Sequence, residues 1–174
     1  MRKIAFFLLV ILQIIIIGVL VMLFEQIDVT GEEITVVSIE EEDYYYHGLN
    51  DPVQHIYKRY NISQVPKDKW NIDEELTYQD FVYVTLTKNE QNIHEIKSVS
   101  LEKPKAVDSG DVIVKAKYDY YDDKGFHQLT YGFEFIEDVD RFGSFKEIDQ
   151  IKVTILLGKL GQQKIKNVVK IESE

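Results

Sequence analysis

The chain has 174 residues, with 30 acidic against 20 basic side chains and no cysteine. The missing cysteines exclude a disulfide framework, a Cys zinc site, a Cys nucleophile and a lipobox. After residue 24 the balance is 18 basic to 30 acidic, a net of −12, which repels phosphate backbones and anionic headgroups, so no nucleic acid is expected as a partner.

From Ile4 to Phe24 there is no charged residue, and only Gln13 and Gly18 interrupt the apolar character. At about 1.5 Å per residue such a helix crosses a hydrocarbon core of roughly 30 Å. A cleavable signal has a shorter apolar core followed by a small-x-small site. Here the run ends "VMLFEQIDVTGEE", so a retained anchor is expected over residues 1–25, with the bilayer as partner through residues 4–24. Arg2 and Lys3 precede it, and no Lys or Arg follows until Lys58. The positive-inside rule then places the N-terminus in the cytoplasm and residues 26–174 outside, as a single-pass protein of the cell membrane. Gly18 permits close helix approach and Gln13 can bond a neighbouring helix, which makes them the candidate contacts to an integral membrane partner.

Residues 34–39, "ITVVSI", read as a first strand. "EEEDYYYHGLNDPVQ" is a loop marked by Gly48, Asn50 and Pro52. "HIYKRYNI" fits strand or short helix, and a helical turn is expected around Ile72 to Leu76. "FVYVTLTK" from Phe81 reads as a strand buried on both sides. Across the turn "DDKG", "DVIVKAKYDYY" and "FHQLTYGFEFI" alternate as a long hairpin over 111–121 and 126–136. Val112, Val114, Ala116, Tyr118 and Tyr120 are expected on its core face, with Leu129, Tyr131, Phe133 and Phe135. "IKVTILL" and "KIKNVVKI" form a last hairpin. The fold expected is mostly β, a single N-terminal transmembrane helix followed by an antiparallel sandwich or barrel-like domain.

Chemistry-bearing patterns are few. His47, His55, His94 and His127 lack metal-ligand spacing, so no metal and no cofactor is expected. "EEED" (40–43) and "DYYDDKG" (119–125) supply carboxylates without an EF-hand pattern. "FGSFKE", with Ser144 and Lys146, lacks a nucleophile elbow, and no catalytic residue is assigned. Asn61 heads the formal sequon "NIS". The aromatic cluster Tyr44, Tyr45, Tyr46, Tyr57, Tyr60 and Trp70 is the candidate surface for a ligand or partner, because aromatic rings serve as stacking platforms and also as ordinary strand residues.

The pieces also occur in a familiar order. After the anchor come "EQIDVTGEEITVVSI", the Asp51–Pro52 turn and "YKRYNISQVP", then "FVYVTL" and "LTYGFEFIEDV". Together they resemble the GDYXXLXY family of bacterial membrane-anchored proteins over nearly the whole chain. Tyr131, Gly132, Glu134 and Phe135 match its Tyr-Gly-x-Glu-aromatic segment, whereas "VQHIYKRY" (53–60) keeps only Tyr60 of the eponymous motif. The resemblance implies a single-pass anchor, an extracytoplasmic β domain and encoding with multi-span membrane proteins, and it implies no catalytic residues. Two functions are expected on these grounds. The first is a non-enzymatic accessory protein docked on an integral membrane partner. The alternative is a ligand-binding or sensory ectodomain with a Tyr/Trp-lined cleft.

Overall fold

The computed structural model describes residues 2–39, 45–46, 55–136, 150–158 and 161–171. The loop carrying Tyr44 and the "EEED" run, and the Ser144/Lys146 segment, lie outside the described residues.

Helix α1 spans Arg2–Thr30, 29 residues, or about 43 Å at the usual rise. Its described apolar side chains from Phe6 to Met22 are almost all exposed, Phe7 by 66 % and Ile17 by 60 %. Among the described residues no helix is long and apolar enough to cross a membrane. The span expected at 4–24 includes side chains outside that set. At its C-terminal end α1 is tied to the domain, with Ile27 buried and the Gly31 N–H donating to the Ile27 carbonyl at 2.9 Å.

The rest is antiparallel β structure. Strands are β1 (Glu32–Val37), β2 (Tyr45–Tyr46), β3 (His55–Tyr57), β4 (Gln64–Pro66), β5 (Phe81–Lys88), β6 (His94–Ser100), β7 (Val112–Tyr121), β8 (Phe126–Thr130), β9 (Phe135–Ile136), β10 (Ile151–Leu157) and β11 (Gln163–Lys170). They form sheets in the orders β1-β10-β11, β2-β3-β9 and β4-β8-β7-β5-β6. The five-stranded sheet nearly closes on itself. A 3-10 turn at Lys67–Lys69 carries the chain from edge strand β4 to Trp70, which bridges Val99 on the opposite edge strand β6, and the Asn71 N–H donates to the Val99 carbonyl at 3.0 Å. Closure of this kind removes an exposed edge, the usual liability of a sheet.

The edges of β1 and β6 meet through side chains instead of a backbone ladder. The N–H of Thr35 donates to His94 Nδ1 at 2.9 Å, and that of Val37 donates to Asn61 Oδ1 at 3.1 Å. Asn61 Nδ2 in turn donates to the His94 carbonyl at 2.8 Å. The sequon asparagine is thus an internal staple between sheets. Buried backbone donors need partners, and here two side chains supply what a neighbouring strand would.

The core follows the alternation of the strands. Ile34, Val36, Val82, Val84, Leu86, Val114, Leu129, Ile151, Val153 and Ile155 are all enclosed. Four local expectations need correction. Strand β8 ends at Thr130, because Gly132 takes φ +94° and the chain turns to reach β9. Tyr120 is 52 % exposed instead of core, because the pairing with β8 slips between Tyr118 and Tyr120; such a bulge reverses the face of the residues beyond it. The single turn of helix falls at Lys67–Lys69 and not at Ile72–Leu76. Strand β5 is enclosed mainly on one face, with Phe81 exposed and Tyr83 partly so.

Candidate functional site

Segment 131–134 organises a buried carboxylate, that of Glu134. Gly132 turns the chain so that the Glu134 carboxylate faces back on its own backbone, accepting from the N–H of Tyr131 through Oε1 and of Gly132 through Oε2, the latter at 2.7 Å. Only 2 % of Glu134 is exposed. Burial pushes its carboxyl above the ordinary carboxylate value, and the backbone donors pull the other way without cancelling it. Around it, Tyr131 donates through its hydroxyl to the Ile62 carbonyl at 2.7 Å and Tyr60 to the Phe133 carbonyl at 3.3 Å. The Tyr131 and Phe133 rings stack with centroids 5.2 Å apart. Both phenols are pushed up by burial first and the Glu134 charge second.

Glu134 and Gly132 form the floor of a cleft of about 500 Å³ between the outer face of the five-stranded sheet and the β10–β11 turn. Tyr57, Phe81, Lys115, Lys117 and Thr130 line its walls. Register brings the walls together, since Phe81 lies opposite Lys117 and Tyr83 opposite Lys115 across the β5–β7 pair. Lys115 Nζ sits 3.5 Å from the Phe81 ring centroid, a cation–π contact on a half-exposed ring. The volume is that of a small-molecule site, and the lining joins apolar surface to a few polar groups.

The described members of the sequence cluster do not converge here. Tyr57 lines the cleft and is half-buried, its phenol raised mainly by burial and next by Glu134. Tyr60 is wholly enclosed in the core. Trp70 lies elsewhere, stacked on His127 at 3.8 Å and 4° between ring planes. Tyr45 and Tyr46 form β2, paired with β3, and Tyr44 is outside the described residues. On α1, Gln13 is exposed, and a Cβ added at Gly18 meets nothing within 4 Å. Sequence reasoning missed Phe81, Lys115, Lys117 and Glu134 as a group. The two lysines stand exposed on the polar face of β7, but the surface that faces them across the cleft comes from the last hairpin.

Among the described residues no group of His, Asp and Glu is arranged to hold a metal ion. "DYYDDKG" is a hairpin turn in which Asp122 Oδ1 accepts the Phe126 N–H at 2.8 Å and Oδ2 accepts from Gln128. Compared with known proteins, the chain matches no family profile, no curated protein and no solved structure.

Proposed function

We propose that the chain is a single-pass, membrane-anchored accessory protein without catalytic activity, which holds its β domain outside the cytoplasm and docks on an integral membrane partner. One observation carries this reading. Helix α1 exposes apolar side chains from Phe6 to Met22 with no polar face among them except Gln13. An apolar surface of that extent is unstable in water and calls for lipid or protein around it. The uncharged run from Ile4 to Phe24 has the length a bilayer requires. Gln13 and Gly18 are the positions where a second helix would approach. The likeness to the GDYXXLXY family points the same way.

Single-cysteine variants test it in a chain that has no cysteine of its own. Asn92→Cys, in the exposed β5–β6 turn, should react with a membrane-impermeant maleimide on intact cells, and Lys3→Cys only after permeabilisation. A photo-crosslinking residue at position 13 or 18 should then trap one membrane protein in mild detergent. Equal labelling at both positions, or a chain that stays uncrosslinked, would count against the anchor or the partner respectively.

The alternative, a ligand-binding ectodomain, is favoured by the cleft over Glu134, which uses Tyr57 but not Tyr60 or Trp70.

A further inference from the structure

A second cavity, of about 960 Å³, adjoins the cleft and shares Ile113, Lys115, Leu157, Gly158 and Gly161 with it. It continues past Tyr83 and Val107 to Thr30, the last residue of α1. The two make one groove that starts at the foot of the helix and ends over Glu134. Its membrane-near half is walled by Tyr83, Val107, Ile113 and Leu157, and its far half by Phe81 with Lys115 and Lys117.

The charge of this groove runs against that of the domain. Lys103, Lys115 and Lys117 line it and make no ion pair among the described residues. Three carboxylates also line it, yet two are spoken for. Asp111 is held by Lys97 at 2.6 Å, and Glu134 is enclosed on backbone N–H groups with its carboxyl pushed toward the neutral form. Glu32 remains, at the helix end. Two adjacent lysines on one strand face, beside an aromatic ring and open to an apolar channel, suit an anionic head on an aliphatic tail.

We propose that the groove binds one molecule of anionic phospholipid, its phosphate at Lys115 and Lys117 and its two acyl chains along Tyr83, Val107, Ile113 and Leu157 toward α1. This deepens the proposed function and rests on its bilayer span, which sets the groove beside the outer leaflet. The net charge of −12 after residue 24 disfavours adsorption of the whole domain to an anionic surface. Recognition is therefore of a single molecule drawn into the groove.

The test is calorimetric titration of the full chain in a non-ionic detergent with dihexanoyl phosphatidylglycerol, dihexanoyl phosphatidylcholine and glycerol phosphate. Saturable one-to-one binding of the phosphatidylglycerol is expected, at least tenfold tighter than either of the others. Lys115→Gln with Lys117→Gln should weaken it at least tenfold, while Lys67→Gln, the same kind of charge loss on the distant 3-10 turn, should leave it unchanged. Thermal unfolding of each variant checks that the fold is kept. No saturable binding, equal binding of the choline lipid, or an unaffected double variant overturns the proposal. Glycerol phosphate bound as tightly as the lipid also overturns it, reducing the groove to a simple anion site. Failure of maleimide labelling alone would sink the bilayer span, and failure of titration alone would sink the lipid site.

Discussion

His94 Nδ1 accepts the backbone N–H of Thr35 at 2.9 Å, so a neutral imidazole on β6 closes the seam to the edge of β1. That acceptor exists only while Nδ1 carries no proton, so the other nitrogen, Nε2, holds the hydrogen. Nε2 is buried with no partner among the described residues. The imidazolium would place two donors against each other inside the protein.

The pH dependence comes from that geometry. Burial first, and Lys88 second, hold His94 below its ordinary value of 6.5, and the Thr35 N–H, which needs the unprotonated Nδ1 as its acceptor, favours the same neutral ring. His127 is lowered too, by burial and then by Lys67, with Asp122 opposing. A folded-state value below the unfolded one means that the unfolded chain binds more protons in acid. The contribution is whole above about pH 6.5 and is lost as pH falls from there through the folded value. The melting temperature should therefore drop between pH 7.5 and 5.5. His94→Asn keeps an acceptor near Nδ1 without a titrating ring, so it should melt lower at pH 7.5 but with a shallower slope. An unchanged slope would refute the role of His94.

Glu134 has the opposite sign. Its carboxyl is raised, so charging it opposes folding, and its contribution grows as pH falls through the folded value toward 4.5. Glu134→Gln turns one acceptor into a donor facing a backbone N–H. The expected cost at neutral pH is about 1–3 kcal/mol, visible in denaturant unfolding. Glu134→Gln should also remove the acid-side gain, and a variant as stable as wild type would show that the two backbone donors do not depend on the carboxylate.

Phe133 is 4 % exposed and stands between Tyr131 at 5.2 Å and Tyr60 at 5.7 Å. Phe133→Ala should cost about 3–5 kcal/mol, from the lost burial plus the cavity left among rings that cannot all shift. Phe133→Asp should prevent folding. An unchanged melting temperature for either would place the 131–134 segment outside the core.

Gly31 joins α1 to β1. A Cβ there would stand 2.4 Å from the Ile27 carbonyl oxygen and 3.3 Å from Leu156 Cβ. Backbone cannot yield to that contact as a flexible side chain would, so Gly31→Ala should open the junction. Hydrogen exchange at the Gly31 amide, now bonded at 2.9 Å, should quicken at least tenfold while amides of β7 stay protected. Equal protection in the variant would show a junction looser than the geometry implies.

Gly125 takes φ +90° in the β7–β8 turn over "DDKG". Gly125→Ala should cost about 1 kcal/mol, because the added Cβ disfavours that region for L-residues. The nearest atom to such a Cβ is the Tyr121 hydroxyl at 3.6 Å, an ordinary contact. The loss, read by thermal unfolding, is thus backbone strain and not a clash.

Local pattern determined a good deal. The uncharged run of α1, the period-two alternation of β7 and β10, the glycine turn at Gly125 and the β character of the domain arise from residue type and spacing, because a helix or strand face is set by neighbours a few positions away. Tertiary structure alone decided the rest. The bulge that exposes Tyr120, the closure of the sheet through Trp70 and Val99, and the seam of Thr35, Val37, Asn61 and His94 depend on partners 24 to 59 residues apart in the case of the seam. Nothing local announces such pairs. The aromatic cluster shows the same limit. Tyr57, Tyr60 and Trp70 are near one another in sequence, yet one lines the cleft, one fills the core and one stacks on His127. Proximity along a chain does not set which side of a sheet a ring occupies once turns and a 3-10 segment intervene. The groove needed β5, β7 and the β10–β11 turn in one place, and only the folded chain brings them there.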